Sequence, residues 1–190
     1  MIFNQGLVTA HEPATGELFW KQPWPPGQAE CVSQPLLLPG DKLFVSTAYG
    51  IGGKLFQLER NQDGQFNVSL LWETIYLKAK FTTVLHYGGY LYGLDNGIFA
   101  CLNLTYGKRQ WKRGRYGHGQ VLLVEDVILV LTESGDVVLI EPNPEALVEL
   151  TRFTALEGRT WNTPALAAPY LLVRNGREAA CYQLPIVGEE

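Results

Sequence analysis

A motif recurs along this chain at intervals near 40 residues, and a repeat of that length limits the possible folds more than any composition figure does. Ala10 and Glu12 lead to Gly16 and Trp20, and Cys101 and Asn103 lead to Gly107 and Trp111. In both copies a small residue is followed two positions on by an acid or amide. Gly comes four residues later and Trp four after that. Weaker copies run from Gln57-Leu58-Glu59 through Gly64 to Trp72, and from Leu139-Ile140-Glu141 to Leu150. The Trp-equivalent positions are thus 20, 72, 111 and about 150, spaced by 52, 39 and about 39.

Apolar runs keep the same beat. Leu43-Phe44-Val45, Leu91-Tyr92-Gly93, Ile128-Leu129-Val130-Leu131 and Leu171-Leu172-Val173 each follow a turn, at Pro39-Gly40-Asp41, Gly88-Gly89, Glu125-Asp126 and Ala168-Pro169. A further run follows each: Lys54 to Leu58, Ile98 to Leu102, Val137 to Ile140 and Ala179 to Leu184. Gly6 to His11 reads as one more copy of that last strand. Short β-rich runs joined by Gly, Asp and Asn turns are hairpins. A period near 40 with four strands per repeat fits a propeller blade. The expected fold is all-β: one domain over residues 1–190, a β-propeller of about four blades of four antiparallel strands. Its repeats fall near 6–58, 59–102, 103–141 and 142–184.

The pattern small-x-Asp-x-x-x-Gly-x-x-x-Trp resembles the repeat of pyrroloquinoline-quinone-type (PQQ-like) β-propellers. That bacterial group includes quinoprotein alcohol dehydrogenases and the propeller lipoprotein of the outer-membrane barrel-assembly machinery. This chain departs from the pattern at Glu12, Glu59, Glu141 and Asn103, where the family favours Asp, and at Leu150, where it favours Trp. The resemblance implies that Trp20, Trp72 and Trp111 dock each blade on its neighbour, with Gly16 and Gly107 permitting the turns. A large flat ring fills the roughly 10 Å between packed sheets. Family members carry six to eight blades. Four repeats then imply a fragment, a closed four-bladed ring, or half of an eight-bladed ring completed by a second copy.

Composition narrows the function classes. With 46% apolar and 18% charged residues the chain is globular rather than disordered. Its formal charge of -4, without a basic stripe, argues against nucleic acid as the partner. No apolar run approaches the roughly 20 residues of a membrane helix. Met1 to Gly6 has neither the basic start nor the apolar core of a signal peptide, whereas the resemblance implies a periplasmic or other extracytoplasmic setting for a longer parent. Cys31, Cys101 and Cys181 are far apart and form no zinc or thiol-exchange motif; Cys101 and Cys181 read as buried strand residues.

In a propeller the loop before each innermost strand opens on the central funnel. Lys80, Thr82, Arg115, His118, Arg159, Trp161 and Asn162 occupy those loops and form the expected ligand-binding set. The cations imply an anionic ligand or acidic partner surface, and Trp161, off the docking register, offers a stacking plane. No catalytic or metal-ligating set emerges: HExxH, GxSxG, phosphate-loop and dinucleotide motifs are all missing. The leading expectation is a non-catalytic scaffold that binds a protein or small ligand at the funnel and carries no cofactor. One alternative is a fragment of a quinone-dependent dehydrogenase, in which PQQ and calcium would bind and Lys80, Arg115 and Arg159 would hold the quinone carboxylates. Another is a carbohydrate-binding propeller with Trp161 as the sugar platform.

Overall fold

The computed structural model describes residues 1–4, 6–24 and 31–185; residues 5, 25–30 and 186–190 of the expected domain lie outside it. The described residues form eighteen strands. The first sheet is β1 (Ile2–Asn4), β2 (Leu7–His11) and β3 (Leu18–Pro23). The second is β4 (Leu36–Leu38), β5 (Lys42–Thr47), β6 (Gly52–Arg60) and β7 (Phe66–Thr74). The third is β8 (Leu85–Tyr87), β9 (Tyr90–Asp95), β10 (Ile98–Asn103) and β11 (Arg109–Arg115). The fourth is β12 (Gln120–Val124), β13 (Val127–Leu131), β14 (Asp136–Glu141) and β15 (Val148–Thr154). The fifth is β16 (Ala165–Ala167), β17 (Tyr170–Arg174) and β18 (Ala179–Gln183). All are antiparallel meanders in chain order. No helix among the described residues is long and apolar enough to cross a membrane.

Among the described residues the propeller blades are three four-stranded sheets flanked by two of three strands, eighteen strands for about four expected blades. Periodicity sets the length of a repeat, whereas hydrogen bonding sets its phase. The repeat at 103–141 holds β11 of the third sheet with β12, β13 and β14 of the fourth. Four repeats displaced by one strand therefore touch five sheets.

Side chains alternate across each strand, which gives every sheet two apolar faces. Phe44 and Leu55 of the second sheet meet Leu91, Ala100 and Leu102 of the third. Tyr92 and Cys101 of the third meet Ile128, Val138 and Ile140 of the fourth. Leu129 of the fourth meets Leu171 and Val173 of the fifth. Phe44, Tyr92, Leu129 and Leu172 hold one repeat position, each facing the following sheet, and are 1%, 1%, 2% and 49% exposed. Leu172 is open because no sixth sheet is present among the described residues. Cys181 pairs with Leu172 as Cys101 pairs with Tyr92, and it is exposed where a buried cysteine was expected.

The tryptophans join these sheets. Trp72 Nε1 donates to the Leu104 carbonyl at 3.0 Å, and Trp111 Nε1 to the Asn143 carbonyl at 3.0 Å, each acceptor lying in the next sheet's outer turn. Gly107 (φ +64°) lies under the Trp72 ring, where a Cβ would come within 2.6 Å of Cε3. The glycine therefore receives the preceding sheet's tryptophan, not the Trp111 of its own motif. Gly16 holds the same turn position, with φ +76° and open space above it. In β15 the tryptophan register belongs to Thr151, opposite Leu139, as Trp72 lies opposite Leu55 and Trp111 opposite Cys101. Leu150 sits at the bulge and points to solvent, which corrects the expected position.

Trp111→Ala should cost about 3 to 5 kcal/mol in urea unfolding through the cavity it leaves, and a loss under about 1 kcal/mol would remove Trp111 as a dock. Gly107→Ala should destabilise clearly more than Gly16→Ala, because only the former meets a ring. Burial pushes the Cys101 thiol up to about 12, so a thiol reagent should modify Cys181 rapidly and Cys101 only on unfolding. Rapid native labelling of Cys101 would contradict the third–fourth interface.

Candidate functional site

The loops that precede the innermost strands converge. Gln120, at the start of β12, is buried and its Nε2 donates to the Phe81 carbonyl at 3.1 Å and the Trp161 carbonyl at 3.0 Å. One carboxamide thus ties together the loops leading into β8, β12 and β16. Around that tie lies a band of aromatic rings and cations. Phe81 is 5.3 Å from Trp161, edge-on, and 5.8 Å from His118. Lys80 Nζ lies 5.6 Å from the Tyr49 ring and 5.9 Å from Phe81, and the Arg159 guanidinium lies 4.9 Å from Trp161. Such pairs hold a cation over a ring and reduce the freedom it loses on binding.

Glu133, in the turn between β13 and β14, braces the band from below. Its Oε1 accepts from Trp161 Nε1 at 2.9 Å and its Oε2 from the His118 backbone N–H at 3.0 Å. The His118 amide and the Trp161 indole together hold the carboxyl below the usual carboxylate range. Trp161 is 43% exposed, with Arg159 over its ring. A sugar stacking on that plane would compete with the guanidinium.

Lys80, His118 and Trp161 therefore meet around Phe81 and Arg159 lies over Trp161, while Thr82 and Asn162 flank them and Arg115 stands apart. Thr82 is buried, its hydroxyl donates to the Thr83 carbonyl at 3.5 Å, and it lines a narrow crevice with Lys80, Phe81 and His118. Arg115 is the last residue of β11, an outermost strand, and belongs to the rim. Asn162, with its carboxamide oriented to satisfy its partners, accepts from Arg174 at 3.2 and 3.3 Å. Beside it opens a groove of about 590 Å³, lined by Arg159, Trp161, Asn162, Asn175, Gly176 and Arg177.

The complete sheets explain that groove. In the third sheet the N–H groups of Tyr116 and Gly117, just past the outer strand, both donate to the Gly97 carbonyl at 3.0 Å. In the fourth, Ala155 and Leu156 do the same to Gly135. The fifth sheet has no described outer strand, so the equivalent turn at Gly176 is uncovered. The groove lies at the position where the third and fourth sheets hold the residues just past their outer strands.

Three contributors escaped the sequence reading. Phe81 lies between two residues that were selected, and only its ring contacts reveal it. Glu133 is 28 residues from Trp161 and carries no motif. Asp95 was hidden in an Asp-Asn-Gly turn, yet it is 0% exposed and lies 3.0 Å from Lys78 Nζ and 2.9 Å from Lys112 Nζ. Burial pushes its pKa up, but hydrogen bonds from Lys112 and Lys78 outweigh this and hold it below the ordinary 3.8.

The family model described as outer membrane protein assembly factor BamB matches residues 4–179. The chain belongs to this BamB-like, PQQ-type propeller family. Solved propellers agree in fold. BamB from Moraxella catarrhalis superimposes with a TM-score of 0.70 at 13% identity, over 93% of this chain and 52% of that one. Sqt1 of Saccharomyces cerevisiae gives 0.66 at 12%, over 94% and 55%. The computationally designed Ika4 protein gives 0.60 at 10%, over 84% of this chain and 94% of Ika4. The chain thus spans about half the length of BamB and Sqt1. No curated protein matches the sequence.

Of the three cations that the dehydrogenase alternative assigns to the quinone carboxylates, Lys80 and Arg159 lie in the loop band, whereas Arg115 ends an outer strand.

Asp95→Asn should cost about 3 kcal/mol at neutral pH by leaving two lysines facing a neutral group. Because the folded pKa lies below the unfolded one, the carboxylate's contribution is complete above about pH 5 and is lost on acidification through the folded value. The stability gap between wild type and Asp95→Asn, followed by urea titration, should therefore narrow progressively as the pH falls through and below the ordinary carboxylate range. A gap that persists at low pH would mean that the ion triad is not its source.

Proposed function

We propose that the chain is a non-catalytic scaffold, and that a protein partner lays a segment across the Lys80–Phe81–Trp161–Arg159 band into the groove at Gly176. The observation that carries this reading is the union of a braced aromatic and cationic surface with a groove shaped for main chain. Trp161 and Arg159 are anchor types enriched at protein interfaces, and Glu133 fixes the indole before any partner arrives. The family description, an outer membrane protein assembly factor, also favours a protein partner over a small-molecule substrate. Binding here is positional: the loops offer a preorganised surface, and no residue of the band is paired for nucleophilic or acid–base work.

A photoreactive benzoylphenylalanine at position 161 should give one discrete polypeptide adduct in the native host. Arg159→Ala should weaken that adduct strongly, and the same probe at exposed Leu150 should give none. Equal adducts at both positions, or no adduct at 161, would overturn the reading. Reduction of a redox dye after addition of PQQ and calcium would instead favour the dehydrogenase alternative.

A further inference from the structure

The outer strand of the third sheet is unlike the others. Lys108, Arg109, Lys112, Arg113 and Arg115 place five of the chain's fifteen Lys and Arg within eight residues that contain no acid. Lys112 is neutralised by buried Asp95. Lys108, Arg109, Arg113 and Arg115 are exposed, and no carboxylate of the described residues lies within ion-pairing distance of them. Four cations without a carboxylate partner, Lys108 just before β11 and three on it, in a chain with net charge -4 form a local field opposite in sign to that of the whole molecule.

Cations on an edge strand can simply prevent edge-to-edge aggregation. The sister strands argue against that explanation here. β7 contains no Lys or Arg, although Leu70 and Leu71 are exposed on it, and the single Arg152 of β15 is paired with Glu149 at 2.9 Å. β3 carries one exposed cation, Lys21, so no sister strand approaches the concentration on β11, which calls for another cause.

We propose that β11 is a docking edge for an extended acidic segment of a partner protein, a surface separate from the loop band and independent of the scaffold reading. Three features support an extended polypeptide. β11 ends its sheet, so its outward N–H and C=O groups meet no further strand. A groove of about 470 Å³ runs beside it, lined by Ile98, Arg109, Gln110, Trp111, Lys112 and Arg113. Arg109 is already held, its guanidinium 4.5 Å from the Tyr76 ring. At about 3.3 Å per residue the cations from Arg109 to Arg115 span about 20 Å. Carboxylates at alternate positions of an added strand can follow that spacing while its main chain pairs with the edge.

The test uses a labelled peptide of about ten residues alternating Glu and Val, with a Lys–Val peptide and a single-stranded oligonucleotide as comparators. Fluorescence anisotropy should show binding of the Glu–Val peptide alone, weakening several-fold between about 50 and about 200 mM salt. Arg113→Glu with Arg115→Glu should lower that affinity about tenfold or more, whereas Lys21→Glu on β3 should leave it unchanged. Melting curves of the variants should match wild type, and amide resonances of residues 109–115 should shift on peptide addition. Failure of the Glu–Val peptide to bind would overturn the proposal. So would indifference to the double reversal, or tighter binding of the oligonucleotide, which would assign the edge to phosphates.

Discussion

Everything in this arc depends on how one sheet grips the next. A blade sheet is apolar on both faces and cannot bury either by itself, so stability arises at the junctions. Packing between alternating side chains supplies most of the buried area there, but packing is not directional enough to fix the relative position of two sheets. The indole does that. Trp72 and Trp111 each lie flat on the next sheet and reach its outer turn with one hydrogen bond, and Gly107 lacks the Cβ that would hold the Trp72 ring away. The fourth-to-fifth junction places Thr151 at that register and relies on Leu129, Leu171 and Val173.

The same geometry positions the loop band. Once the sheets are fixed side by side, their innermost strands begin at neighbouring points, and the loops before them converge closely enough for one buried carboxamide to bridge two of them. Gln120 is the expression of that convergence. Its two acceptors are the carbonyls of Phe81 and Trp161, the residues whose rings form the centre of the band. A scaffold needs its contact residues held still, and here the backbone beneath them is cross-linked by hydrogen bonds between loops.

How far the sequence revealed this differs from level to level. The spacing of Gly and Trp is a direct trace of the docking interaction, so Trp20, Trp72 and Trp111 were legible as structural and the propeller with them. The phase of the repeat was not, because no local signal marks which strands share hydrogen bonds. Leu150 was misplaced by one residue because a bulge shifts β15. Cys181 was misread because burial depends on whether a following sheet exists, and its local sequence is that of a covered strand. Within the site, counting from the motif leads to the loops before β8, β12 and β16, although Arg115 lies inside β11. Which loop residues turn inward was not legible: Thr82 is buried, Arg115 closes an outer strand, and Phe81 and Glu133 join the cluster only through contacts between separate turns.

The one-strand offset between repeat and sheet also bears on how such a chain can change length. Each sequence repeat finishes one sheet and begins the next, so consecutive repeats interlock like links whose ends lie in different layers. Removing or duplicating a whole repeat joins an inner three-strand half to an outer strand of the same type as before. The ladder pattern is then regenerated, while the side chains at the new junction are those that the joined repeats bring, such as Thr151 at the tryptophan register of β15. Blade number is consequently free to vary by recombination between repeats, while a deletion of any other length would strand an edge and expose a face. The architecture is buffered against changes in count and brittle to changes in phase.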